Sequence, residues 1–184
     1  SGSLPSLDIP ATLQGSLMAR LDQLAPLKRT AQLAATIGRE FSVELLHLVS
    51  RLDSPVIEHE LVELEHAGVV LRRDDAPTPT YMFRHALVQD AAYESLLKTR
   101  RQSYHRRIAE VLETEFPETV ESQPEVLAHH FTEARIADRA IECWQQAGKK
   151  AVQRWANAEA ILHLRNGLRV LSGLPESEDR ASQE

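Results

Sequence analysis

His85 occupies the position in this chain best suited to chemistry. It follows Tyr81-Met82-Phe83-Arg84, which reads as a strand, and directly precedes a run from Ala86 that reads as a helix. A residue at such a junction lies beside unpaired backbone N–H groups and the positive end of the helix. That combination suits phosphate oxygens. A histidine donates one ring N–H there, and Arg84 adds a charge beside it. The competing reading is a helix-start histidine hydrogen-bonded within its own domain.

A second candidate is the basic segment 98–107, which carries Lys98, Arg100, Arg101, Arg106 and Arg107 interleaved with Tyr104 and His105. Residues 91–109 hold these five cations against one acid, Glu94, in a chain whose net charge is -6. Such a stretch binds a nucleic-acid backbone or another anion, or docks on acidic helices of the same protein. Residues 110–142 supply nine acids against Arg135 and Arg139, so internal or interdomain pairing is the favoured expectation.

Other constellations point away from catalysis. No Gly-rich loop ends in Gly-Lys-Ser or Gly-Lys-Thr, so the chain does not cradle a triphosphate by itself. Cys143 is the single cysteine, which leaves no cysteine pair for zinc and no intrachain disulfide. On a helix, His129 and His130 point about 100° apart and share no ligand geometry. His59 and His66 lie seven apart among Glu58, Glu60, Glu63 and Glu65, a run that reads as a solvated face. Catalytic and metal-binding residues are therefore expected to be none.

The elements that would position these residues are mostly helical. Alanine and leucine dominate the apolar fraction of 42%, and aromatics are 5%, a balance that favours helices. Thr12 caps an expected helix over 13–24, with Leu13, Leu17, Leu21 and Leu24 on one face. A second helix covers 27–37 and closes on Gly38, placed as a left-handed C-terminal residue. Ser42 caps a short helix over 43–49. Ser54-Pro55 opens a further helix, the third counted from residue 27, with Val56, Ile57, Leu61 and Leu64 as its buried stripe, and Gly68 ends it. Val69-Val70-Leu71 and Tyr81-Met82-Phe83 read as two strands around a loop at 74–79. Three helices and a two-stranded wing make a winged-helix arrangement. In DNA-reading winged helices the recognition helix brings basic side chains to the groove, whereas residues 55–67 here carry four glutamates and no Lys or Arg.

From Ala86 the pattern is helical throughout. Leu87, Ala91 and Leu96 are expected inward, then Tyr104, Ile108, Val111 and Leu112, then Leu127, Ala128 and Phe131 on a helix opened by Pro124. Two longer helices follow near 137–153 and 157–171. The 34 residues 141–174 place Trp144, Ala147, Gly148 and Ala151 on the first and Ala160, Leu164 and Gly167 on the second. These spacings resemble the tetratricopeptide pattern, with Ala151 where an aromatic is usual and Gly167 where alanine is usual. Trp144 is the candidate interaction residue. A plain antiparallel hairpin is the alternative.

Ile9-Pro10-Ala11-Thr12-Leu13-Gln14, Arg20-Leu21-Asp22-Gln23-Leu24, Ala34-Ala35-Thr36-Ile37-Gly38-Arg39-Glu40-Phe41 and, most specifically, the run from Phe83-Arg84-His85-Ala86 to Leu97 carry a wider resemblance. The chain is similar to the winged-helix and first tetratricopeptide region of bacterial adenylate/guanylate cyclase-associated AAA-type (STAND-like) signalling ATPases. In that class a histidine at the start of a winged-helix-domain helix contacts bound ADP and holds the protein closed, and His85 with Arg84 would take that place. Related members often follow the histidine with aspartate; Ala86 stands here. The resemblance implies a division into 1–12, a tag remnant and extended lead; 13–96, the end of an ATPase module and a winged-helix-like domain; 97–135, a helical linker; 136–175, a tetratricopeptide-like repeat; and 176–184, a frayed tail.

The fold expected is thus mainly α, a winged-helix-like domain with a small β-hairpin followed by a tetratricopeptide-like region. The function expected is a non-catalytic regulatory and interaction segment of a signalling ATPase. It would hold no cofactor itself, with ATP or ADP bound by the parent. Its partners would be the upstream ATPase domain, downstream repeats and a protein or small-molecule inducer. The alternative is a nucleic-acid-binding transcriptional regulator acting through 98–107. The lone cysteine and the absence of an 18-residue apolar run or signal peptide place the expectation in the cytoplasm, without a membrane span.

Overall fold

A computed structural model describes residues 27–73 and 79–173. The helix expected over 13–24, most of the loop at 74–79 and the tail from 174 lie outside the described residues. What is described is mainly α with one three-stranded antiparallel sheet. The chain divides into two units between Leu97 and Lys98.

The first unit runs α1 (Lys28–Ile37), β1 (Glu40–Ser42), α2 (Val43–Ser50), α3 (Ser54–His66), β2 (Val70–Arg73), β3 (Thr80–Phe83) and α4 (Ala86–Glu94). The sheet has the order β1-β3-β2, with Phe41 opposite Tyr81 and Val70 opposite Phe83. Phe41 stacks on Tyr81 at 6.2 Å between ring centroids and tilts against Phe83 at 5.9 Å. Together with Leu46, Val49, Ile57, Leu61 and Leu64 these side chains form the core. Burying each large one contributes on the order of 1.5–3 kcal/mol.

Polar contacts fix the helices against one another. Gln32 Nε2 donates to Ser95 Oγ at 2.7 Å and Gln89 Nε2 to the Ala35 carbonyl at 3.3 Å, joining α1 to α4. Thr30 donates to Glu60, joining α1 to α3. The Arg72 N–H donates to Glu65 Oε1 at 3.0 Å. Glu60 and Glu65 therefore bind the unit together, and the glutamate run is not simply a solvated face.

Several expectations are corrected in detail. Glu40-Phe41-Ser42 is a third strand, too short to show a period in sequence and fixed by its distant partner β3. Ser42 caps α2 as expected, its Oγ accepting from the Leu45 N–H at 3.1 Å. Gly38 has φ 161° and ψ -174° and is extended rather than left-handed; among the described residues the left-handed glycine is Gly68, at φ 70°. Asp53, not Ser54, is the N-cap of α3, without a side-chain capping bond. Val56 is 42% exposed, one position off the buried stripe of Ile57, Leu61 and Leu64. In α4 the buried residues are Val88, Ala91 and Ala92, while Leu87 is half-buried.

The second unit holds α5 (Lys98–Glu115), α6 (Pro117–Ser122), α7 (Pro124–Glu133), α8 (Ala137–Gln153) and α9 (Asn157–Ser172). Residues expected to be a linker up to 135 pack here: α5 lies on α7, and α7 on α8. Tyr104, Ile108 and Leu112 are buried as expected, whereas Val111 is half-buried. The α7–α8 and α8–α9 turns repeat each other. Arg135 and Trp155 both have φ 61°. In each turn the next N–H reaches back five residues, Ile136 to the Phe131 carbonyl at 3.0 Å and Ala156 to the Ala151 carbonyl at 2.9 Å. This is the C-terminal helix motif that usually employs glycine.

The α8–α9 hairpin is packed through its glycines. A β-carbon on Gly167 would lie 3.2 Å from that of Trp144, and one on Gly148 would meet Leu164. Small residues at these two crossings let the helix backbones approach closely. Along the hairpin several apolar side chains stay exposed: Val152, Trp155, Ile161, Leu162, Leu168 and, in part, Leu164. Among the described residues, no helix is long and apolar enough to cross a membrane.

Candidate functional site

In the first unit His85 is the N-cap residue of α4, with extended backbone at φ -131° and ψ 137°. Its side chain is exposed and makes no capping hydrogen bond. The chain arrives there from β3 through Arg84, whose N–H donates to the Val69 carbonyl at 3.0 Å, extending the β2–β3 pairing by one residue. That bond fixes the direction in which α4 begins. The His85 carbonyl accepts from the Val88 N–H at 3.1 Å and the Gln89 N–H at 3.4 Å, which closes the first turn. The N–H groups at this helix start have no acidic residue in the first turn to occupy them. Arg84 and His85 are thus both exposed at a helix N-terminus, a local arrangement that can face an anion.

In the second unit Lys98, Arg100 and Arg106 are exposed on α5, and Arg101 and Arg107 are half-buried. The segment is therefore not one basic face: the helical turn divides its five cations between solvent and the packed side. The acids of residues 110–142 are partly engaged elsewhere. Arg139 on α8 pairs with Glu113 on α5 and with Glu142 at 3.4 Å, and its guanidinium lies 5.1 Å over the Phe131 ring.

Trp144 is 7% exposed, so it serves packing more than direct contact. Its indole N–H donates to Thr132 Oγ1 at 3.0 Å, and its ring stacks on His163 at 5.6 Å. One side chain thereby joins α7, α8 and α9. It also helps line a cavity of about 590 Å³, together with His129, Thr132, Glu133, Arg135, Asn166 and Arg169, among others.

Three histidines meet in this unit. His105 on α5 and His130 on α7 are 1% and 2% exposed, with their Nδ1 atoms 2.8 Å apart. The exposed His129 ring lies 5.5 Å from each of theirs. Burial, then the neighbouring His129 and Arg101 charges, draw His105 down to about 3 from the usual 6.5. Burial, then His105 and His129, hold His130 well below its ordinary value. Burial raises the Cys143 thiol to about 11.

Comparison with known proteins adds one relative. The chain is 26% identical over 169 residues, 91% of its length, to an uncharacterized protein of Rhizobium meliloti (strain 1021). It spans 16% of that much longer protein. No family model matches the chain, and no solved structure matches it.

The His105–His130 pair is the feature that sequence reading passed over. In sequence His129 pairs only with its neighbour His130 on one helix. Yet His105 lies three residues before Ile108 and seven before Leu112, on the inward face of α5. That period was available in the sequence; its partner on α7, 25 residues on, was not.

Proposed function

We propose that this chain is a non-catalytic regulatory and protein-interaction segment of a multidomain bacterial signal-transduction ATPase, of the kind that can be joined to a nucleotide cyclase. Its first unit acts as a winged-helix-like domain that reads the nucleotide state of an upstream ATPase domain. Its second unit begins a tetratricopeptide-like array that receives a protein or small-molecule inducer. ATP or ADP belongs to the parent, and the segment works in the cytoplasm.

The observation that carries this reading is His85: exposed, uncapped by its own side chain, and set at the first turn of α4 directly after β3. The order α1-β1-α2-α3-β2-β3 with strands arranged β1-β3-β2 supports the winged-helix assignment. The α8–α9 hairpin supports the repeat assignment through its glycine crossings and exposed apolar residues, because stacked repeats bury such side chains against neighbours. The length of the Rhizobium relative is in keeping with a segment of a larger protein. Acidic side chains on α3 argue against DNA in the place a recognition helix would take: Glu58 and Glu63 are exposed.

Replacing His85 with alanine in the full-length parent tests the proposal. Nucleotide retention or basal output changes if His85 faces the nucleotide, and constancy of both contradicts it.

A further inference from the structure

The contact between His105 and His130 has a requirement that ordinary buried histidines lack. Two Nδ1 atoms 2.8 Å apart hold one hydrogen between them: one ring donates Nδ1–H and the other accepts with its Nδ1 lone pair. The accepting ring is therefore neutral at Nδ1, and burial of both side chains keeps the donating ring neutral as well, in the opposite tautomer. A further proton on the accepting Nδ1 removes the acceptor and sets two N–H groups against each other, inside the contact between α5 and α7. Beside burial, the charges that lower the two histidines are positive or potentially so, Arg101 from α5 and His129 from α7. α6 carries Glu118 and Glu121, both exposed, and α8 directs Arg139 to Glu113 and Glu142.

We infer that the His105–His130 pair is an acid-sensitive latch that holds α5 against α7 and releases the second unit as pH falls. The reach of the latch follows from α7, whose Thr132 also holds the Trp144 indole. Loosening α7 thus disturbs the hairpin as well as α5. The sign is set by the unfolded chain, in which each histidine titrates near 6.5. Both folded values are depressed, so the contribution is complete above that pH. It is lost as pH falls from there towards the folded values, about 3 for His105. For each histidine that must stay neutral, the folding equilibrium shifts by about tenfold per pH unit in that window.

Both tryptophans, Trp144 and Trp155, lie in the second unit, so their fluorescence reports its unfolding within the whole chain. Urea titrations at pH 7.5, 6.5 and 5.5 should show a falling midpoint for the native sequence. The same series on H105L/H130L should be much flatter. Should that variant not fold, nitrogen-resolved NMR of the histidine rings in the native chain decides the matter. The latch predicts two rings that stay neutral at pH 5.5 in every molecule with native fluorescence. A midpoint constant from pH 7.5 to 5.5, an equal slope in the double variant, or rings at 105 and 130 that titrate near 6.5 with the fold intact would each overturn it.

Discussion

A β-carbon built on Gly148 would lie 2.7 Å from Cδ2 and 2.8 Å from Cγ of Leu164 across the α8–α9 hairpin. Alanine in a helix interior ordinarily gains up to about 1 kcal/mol over glycine. Here that gain is outweighed, because Cγ cannot move without the rest of the Leu164 side chain. Gly148→Ala is expected to lower the stability of the second unit by about 1–2 kcal/mol, measured as the urea midpoint by tryptophan fluorescence. Adding Leu164→Ala removes the clash, so the double variant should be more stable than Gly148→Ala alone. Strictly additive losses would show that the two residues are not in contact.

Trp155 stands at the turn between the same helices with φ 61° and 87% exposure. A non-glycine residue there bears a local cost of about 1–2 kcal/mol. Trp155→Gly should relieve part of it and leave the unit as stable as the native chain or more so, by up to about 1 kcal/mol. Circular dichroism on heating is the appropriate readout, since the substitution removes one of the two fluorophores. A drop in melting temperature would mean that the indole packs on the unit.

Cys143 is buried, and its thiol is raised to about 11. At neutral pH the thiolate that alkylating reagents need is scarce, and access is closed as well. Iodoacetamide should label native Cys143 slowly and the urea-unfolded chain on the order of a hundredfold faster, as followed by intact mass. Equal rates would place Cys143 at the surface.

How much of this was legible beforehand depends on the range of the signal. The helices α8 and α9 appear within a residue of their expected ends, because the small residues and Trp144 mark them locally. Ser42, Pro55 and Pro124 mark helix starts for similarly local reasons. β1 was missed because three residues carry no period, and only pairing with β3 makes them a strand. Short α6 was missed because Pro117 reads equally as a stop for α5 and as a first-turn residue of a new helix. Of the candidate residues, His85 and Arg84 lie where the strand-to-helix junction puts them. The basic segment divides between solvent and interior because helical rotation, not composition, decides exposure. The His105–His130 contact depends on how α5 and α7 pack, which no local pattern states.

His85 is proposed to contact nucleotide held by an adjoining domain of the parent. The direct measurement is the amount of ADP retained per molecule of purified full-length parent, native against His85→Ala, after equal dialysis. Loss of one hydrogen bond to a charged phosphate is worth about 1.5–3 kcal/mol, so retained affinity should fall by at least about tenfold while the fold, read by circular dichroism, is unchanged. Equal ADP retention and equal basal output in the two proteins would contradict the account.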